Sequence, residues 1–337
     1  MRKNYKTQED WLHIRKGLID EGRLGGSMIG TAAGVNPYKS AARLWGEMKG
    51  LIEEPDISGR EAVRDGRDHE DYVAQRFCEA TGKSVHRENC IFTNEKYPHL
   101  FASIDRKVSG EEAGLECKTA NAFRLNDFTD TEFPKSYYAQ VCSYLAVTGL
   151  KRWYLCVWCM GVYVKIYLLT TDRDDLAAVP EWCCGAFFVS QEELEACEAI
   201  AADFIAALGC DKPPHFDGSE DETEALKELY PDSNGEAIKL DETIELLLAE
   251  RDAKKQAIAE LEAGISAAEN ELRAYLGEYE TARGASWRVS NKTQTSRRLN
   301  AERIKEACGG VVPAEYYAEN STRVLRISKI KKNDSVN

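Results

Sequence analysis

Three residues in two short segments have the types and spacing needed for phosphodiester chemistry. Asp105 lies in SIDR (103–106), and LECK (115–118) places Glu116 and Lys118 two positions apart. The surrounding runs, LFASIDRKV and AGLECKTA, read as strands joined by the polar turn SGEEAG, which is a hairpin signal. Alternate residues of a strand share a face, so Glu116 and Lys118 point the same way, and the hairpin can set Asp105 beside Glu116. Two carboxylates and a lysine are costly to bury in an otherwise apolar sheet without a use. Oxygen ligands from Asp105 and Glu116 suit a hard divalent cation such as Mg2+, and Lys118 could orient or help deprotonate an attacking water. Taken alone, the same residues read equally well as an ordinary surface ion pair.

The elements around them change that balance. Val63, Arg67, Glu70, Val73, Phe77 and Ala80 recur at helical spacing, which predicts a helix over 61–82 ending at Gly82. Glu70 falls on the face of Val73 and Phe77, a position that calls for a metal or a cation as partner. Downstream, YYAQVCSYLAVTG reads as a buried helix ending at Gly149, with Gln140 and Tyr144 one turn apart. That pair is either a hydrogen-bonded core pair or a holder for a phosphate or for Lys118. The runs KRWYLCVWCM and VYVKIYLLT read as strands around Gly161. Ser190 and Glu193 have capping-box spacing before a helix to about Leu208. Helix, strand meander, helix and strands together predict an α/β (α+β) core.

GRDHE, SIDR, LECK and QVCSYL, in this order and spacing, resemble the PD-(D/E)XK nuclease superfamily, and more narrowly the YqaJ-like viral recombinases related to lambda exonuclease. The N-terminal GGSMIGTAAGVNPYKSAARLWGEMKG and the segment FPKSYYAQVCSYLAVTG are similar to family segments as well. The resemblance covers roughly residues 10–210 and implies a restriction-endonuclease-like core, a central mixed sheet flanked by helices. It implies that Asp105 and Glu116 are metal ligands together with the backbone carbonyl of Cys117, that Lys118 positions the nucleophilic water, and that Glu70 completes the metal site directly or through water. Gln140 becomes the accessory glutamine. Ser27 becomes the contact to a terminal 5′-phosphate, with Arg15 or Arg23 as the nearby arginine. The chain departs from the family in having Met28 where an acidic residue usually follows the serine, and in a longer spacer before Ser27. The implied activity is a Mg2+-dependent exodeoxyribonuclease (Mn2+ as an alternative ion) acting on double-stranded DNA ends, 5′ to 3′, to leave 3′ single strands for recombination. A single-strand annealing protein as partner and a trimeric ring around DNA are implied too. An endonuclease or structure-specific nuclease on the same fold, or a catalytically degenerate DNA-binding or assembly protein, are the competing readings.

The remaining chemistry is weaker. Cys156 and Cys159 form a C-x-x-C, but odd spacing on a strand sends them to opposite faces and no second pair completes a cluster, so an iron–sulfur or zinc site is disfavoured. The 11 cysteines read as reduced thiols. Trp11, Trp45, Trp153 and Trp158 read as core, while Tyr38 and Lys39, in the NPYKS turn, read as exposed enough to touch DNA. With no P-loop, neither a bound nucleotide nor an ATP-driven motor is expected.

The formal net charge of −13 looks unfriendly to a polyanion, yet the acid is concentrated over roughly 215–280, and the tail from Arg283 to Lys332 is basic. We therefore expect a nuclease domain over 1–210, an acidic linker over 211–240, and a C-terminal segment over 241–337. In that last segment Ile244, Leu247, Ile258, Leu261, Ile265, Ala268, Leu272 and Tyr275 make a heptad-like seam that Arg251 and Lys254 interrupt, predicting a helical hairpin or a packed long helix in preference to an intermolecular coiled coil. SWRVSN and RVLRIS read as strands of a small subdomain, with LNAERIKEACGG as a helix between them. No run is apolar enough to span a membrane, and the N-terminus lacks an apolar signal core, which predicts a cytoplasmic protein.

Overall fold

The computed structural model describes residues 1–293, 295, 301–307 and 309. It divides into two compact units, Met1–Pro231 and Asp232–Asn337. The first unit opens with β1 (Arg2–Asn4), α1 (Gln8–Asp20), β2 (Leu24–Gly25), α2 (Gly26–Ala32) and α3 (Ala41–Met48). Then come α4 (Glu61–Asp68), α5 (Glu70–Thr81) and the strands β3 (Val85–His86), β4 (Cys90–Asn94), β5 (Tyr97–Ser103), β6 (Arg106–Val108) and β7 (Ala113–Ala120). It closes with α6 (Lys135–Thr148), β8 (Arg152–Cys159), β9 (Tyr163–Thr170), β10 (Gly185–Phe188), α7 (Gln191–Ala207) and α8 (Glu220–Leu229).

The six-stranded sheet runs β10-β9-β8-β7-β6-β3, mixed in direction: β7 and β8 are parallel, as are β9 and β10, and the other pairs are antiparallel. A second, four-stranded sheet runs β1-β4-β5-β2. The parallel β7–β8 step needs a crossover, and α6 supplies it. Alternation along β8 then assigns each residue to one of two cores. Trp153, Leu155, Val157 and Cys159 pack with α6 and α7, whereas Tyr154 and Cys156 pack with Val73, Ala74 and Phe77 of α5. Cys156 and Cys159 accordingly lie in different cores, as their odd spacing predicts.

Several boundaries differ from the sequence expectation. The run LFASIDRKV is two strands, because β5 pairs with β4 in one sheet and β6 pairs with β7 in the other. The chain changes sheets at Ile104–Asp105. The helix expected over 61–82 breaks at His69, whose φ of −102° and ψ of 2° leave the helical region, and whose ring packs against Trp158 at 5.1 Å. Part of the expected acidic linker is α8, capped by Ser219 and anchored on α3. There Asp221 accepts hydrogen bonds from the Ser40 backbone N–H at 2.7 Å and from Arg43 Nε at 2.6 Å. High local acidity does not make a linker when a facing arginine neutralises it.

The second unit contains α9 (Glu242–Leu276), one continuous helix rather than a hairpin, then the antiparallel pair β11 (Thr281–Arg283) and β12 (Arg288–Ser290), and α10 (Ala301–Ala307). The expected strand RVLRIS and the basic residues Arg297, Arg298 and Arg323 to Lys332 lie outside the described residues. Among the described residues no helix is long and apolar enough to cross a membrane.

Candidate active site

The β6–β7 hairpin pairs Arg106 with Leu115, so the residue before Arg106 comes opposite the one after Leu115. Asp105 therefore meets Glu116 at the point where the chain passes between sheets. Asp105 Oδ2 accepts a hydrogen bond from the Cys117 backbone N–H at 2.8 Å, which ties it to β7. Leu115 faces the α5 core, so Glu116 and Lys118 face α6 by alternation.

On that side Glu116 is 3 % exposed and its Oε1 receives two donors, Lys118 Nζ at 2.6 Å and Gln140 Nε2 at 2.8 Å. Gln140 Nε2 also donates to the Tyr144 hydroxyl at 2.7 Å, one helical turn on. Of the two alternatives for Gln140 and Tyr144, the structure shows a buried pair that holds the carboxylate of Glu116. Glu116 Oε2 is buried with no hydrogen-bond partner. Lys118 Nζ also lies 5.1 Å from the centre of the Tyr137 ring.

The electrostatics follow from this crowding. Burial, then the neighbouring Glu116 and Glu70 charges, push the Asp105 carboxyl well above its usual range. Burial opposes the charge on Lys118, but Glu116 and Asp105 outweigh it and hold the ammonium above the ordinary lysine range. Burial, then Glu116 and Asp105, raise the Tyr144 hydroxyl as well. A buried carboxylate oxygen without a donor, beside a second carboxylate that burial and like charge push toward protonation, is a donor set suited to a hard divalent cation. The carbonyl of Cys117, between Glu116 and Lys118, is a further oxygen on the same strand.

Glu70 does not join the pair directly. It begins α5 after the break at His69, and its Oε1 accepts from Arg106 Nη1 at 2.6 Å. Among the described residues no three His, Cys, Asp or Glu side chains converge as a metal cage. Glu70 is held by two arginines, Arg106 and, at 3.7 Å, Arg87 Nη2. Both Glu70 and Asp105 nevertheless line one cleft of about 310 Å³, with Tyr5, Arg67, Arg87 and Arg106.

A second cleft of about 290 Å³ is lined by Trp11, Arg15, Ser27, Asp105, Glu116 and Gln140, among others. Ser27 reaches it because Gly25 and Gly26 let the backbone approach closely. A Cβ on Gly25 would sit 2.9 Å from Phe101 Cζ, and one on Gly26 would sit 2.4 Å from Tyr144 Cε1. Arg15, on α1, lies over the Trp11 ring at 5.6 Å. Arg23 is not among the cleft residues; its Nε lies 3.6 Å from Glu21. Lys39 is ion-paired with Glu47 and lines a different cleft, shared with Arg15. Tyr38 is 67 % exposed, with Arg124 over its ring at 5.3 Å.

One residue of the site escaped the sequence reading. Arg106 is 4 % exposed; it donates to the Asp105 carbonyl at 2.7 Å, to Glu70, and to Asp71. The available signal was an arginine in an apolar strand directly after the key aspartate, which calls for carboxylate partners.

Residues 10–151 match the family model of the YqaJ-like viral recombinase domain. The uncharacterized protein YqaJ of Bacillus subtilis (strain 168) is 28 % identical over 304 residues, spanning 89 % of this chain and 88 % of that protein. Among solved structures, the alkaline exonuclease LHK-Exo from Laribacter hongkongensis, in its dAMP complex, is 16 % identical with a TM-score of 0.42, covering 57 % of this chain and 92 % of that chain. A phage-related exonuclease from Haemophilus somnus 129PT is 12 % identical with a TM-score of 0.39, covering 55 % of this chain and 94 % of that one.

Proposed function

We propose that this chain is a divalent-metal-dependent exodeoxyribonuclease that shortens double-stranded DNA from its ends, 5′ to 3′, to provide 3′ single strands for recombination. The observation that carries the reading is Asp105 beside the buried Glu116, with Lys118 and Gln140 on one Glu116 oxygen and no donor on the other. The match to the YqaJ-like viral recombinase domain supports DNA recombination as its setting. Asp105, Glu116 and the Cys117 carbonyl would hold the metal, Mg2+ or Mn2+, which when bound supplies charge stabilisation for phosphodiester hydrolysis.

The protein's own groups then have separable tasks. Gln140, braced by Tyr144, fixes the rotamer of Glu116 so that its second oxygen stays turned to the cleft. Lys118, which donates to Glu116, would orient a water or a phosphate oxygen, its ammonium form being favoured by Glu116 and Asp105. Arg15 and Ser27, across the same cleft, provide a cation and a hydroxyl for a terminal phosphate. Glu70 acts from the adjoining cleft, reaching the metal through water or after leaving Arg106. A ring of copies around DNA, implied by the family, would place acidic surface outward, and a strand-annealing protein would take up the product.

Incubating 5′-phosphorylated linear duplex, hydroxyl-ended linear duplex and covalently closed circular duplex with Mg2+ tests this directly. The phosphorylated linear DNA should disappear fastest and the circle should persist. Loss of the circle would turn the reading to an endonuclease, and no loss of any substrate would sink it.

A further inference from the structure

Most of the apolar seam along α9 is exposed. Leu261 is 69 % exposed, Ile265 60 % and Ile258 54 %, although these residues repeat on one helical stripe. From Ile244 to Tyr275 the spacing is strictly three and four, so Ile244, Arg251, Ile258, Ile265 and Leu272 take a positions and Leu247, Lys254, Leu261, Ala268 and Tyr275 take d positions. Such a stripe in a single helix leaves about 48 Å of apolar surface in water, at ~1.5 Å per residue. We propose that α9 pairs antiparallel with α9 of a second copy of this chain, as a two-stranded coiled coil. The inference does not rest on the nuclease reading.

The two cations decide the orientation. In a parallel pair, a faces a and d faces d, so Arg251 would face Arg251 and Lys254 would face Lys254 in adjacent core layers. Antiparallel, a faces d. With Ile258 set against Leu261 of the second copy, every layer is matched: Ile244 with Tyr275, Leu247 with Leu272, Arg251 with Ala268 and Lys254 with Ile265. Ala268 leaves room for the Arg251 side chain, and Glu271 of the second copy flanks it. The edges agree as well. Lys255 and Glu262 both occupy e positions and fall at one level across this interface, giving two opposite-charge pairs by symmetry. Arg251 is ion-paired with its neighbour Asp252 at 3.2 Å, and Lys254 with Glu250 at 2.7 Å on the same helix. Neither contact blocks the seam.

The full-length chain should show a mass by light scattering that halves in Ile258→Asp/Leu261→Asp, with helical content by circular dichroism retained. An unchanged mass would overturn the proposal, including the case in which residues 294–337 of the same chain cover the seam. Because an aspartate pair could disturb the helix itself, a charge swap gives a second reading. Lys255→Glu should weaken association roughly tenfold, through two glutamate pairs, and adding Glu262→Lys should restore it. In a parallel pair Glu262 faces Ala257, so failure of the second change to rescue the first would overturn the antiparallel register.

Discussion

The two units treat charge and apolar surface in opposite ways. In Met1–Pro231 the unusual feature is charge taken inside: Glu116, Arg106 and Glu222 are each at most 4 % exposed, within a chain segment that otherwise buries tryptophan, phenylalanine and leucine. In Asp232–Asn337 the unusual feature is apolar surface left outside along α9. Each is costly for an isolated folded chain, and each therefore points to something the chain meets. Buried carboxylates with an unfilled oxygen point to a small, hard ligand. A regular exposed stripe points to a large, apolar one. The contrast shows that a functional surface is recognised by what the local environment fails to satisfy, whether that is a polar atom or an apolar face.

The contrast can be broken most sharply at the carboxylates. Glu116→Gln or Asp105→Asn should lower nucleotide release from linear duplex by on the order of 1000-fold or more while the melting temperature holds or rises, since burial already penalises these charges. Unaltered activity would return the pair to an ordinary ion pair. Next in size is Arg106→Met. It removes the buried one of two arginines, Arg87 being the other, that Glu70 and Asp71 share, and should cost about 3 kcal/mol in denaturant unfolding; a neutral effect would show that Glu70 does not depend on it.

Gly114→Ala should cost about 2 kcal/mol, because a Cβ there would lie 2.5 Å from the Trp153 ring, which is fully buried. A smaller effect is expected from acid. Hydrogen bonds from Arg152, at 2.6 Å for its Nε, are the main cause holding the Asp175 carboxyl below the usual range, although burial opposes them. A lowered folded-state value means that its stabilisation is complete above about pH 4 and is lost as the pH falls through that lowered value. Thermal melts of the parent should therefore decline more steeply below about pH 4 than those of Asp175→Asn. Smallest of all, Ile265→Ala in α9 should change hydrogen-exchange protection of β7 and β8 by less than about 0.5 kcal/mol, since Ile265 is not among the core residues packed with these strands. A larger change would mean that the second unit stabilises the first.

Much of the site is legible in the sequence. Spacing on a strand put Glu116 and Lys118 on one face, and helical spacing put Gln140 a turn from Tyr144. These are local periodicities, and local geometry carries them faithfully. The capping box at Ser190 and the glycine ends at Gly82 and Gly149 are legible for the same reason. Three features were not. The break at His69 depends on Trp158, far along the chain. The division of LFASIDRKV depends on which sheet each half joins. The helix within the acidic stretch depends on Arg43, some 180 residues away.

By itself, then, the sequence determined the identities and faces of the carboxylates, the lysine and the glutamine, because strand and helix periods are properties of neighbouring residues. Tertiary structure alone decided that Asp105 sits at a change of sheets, that Glu70 turns to Arg106, and that Arg15 rather than Arg23 reaches the cleft of Ser27 and Glu116. Those outcomes depend on which distant segments compete for the same hydrogen bonds and space, and no local pattern records the result of that competition.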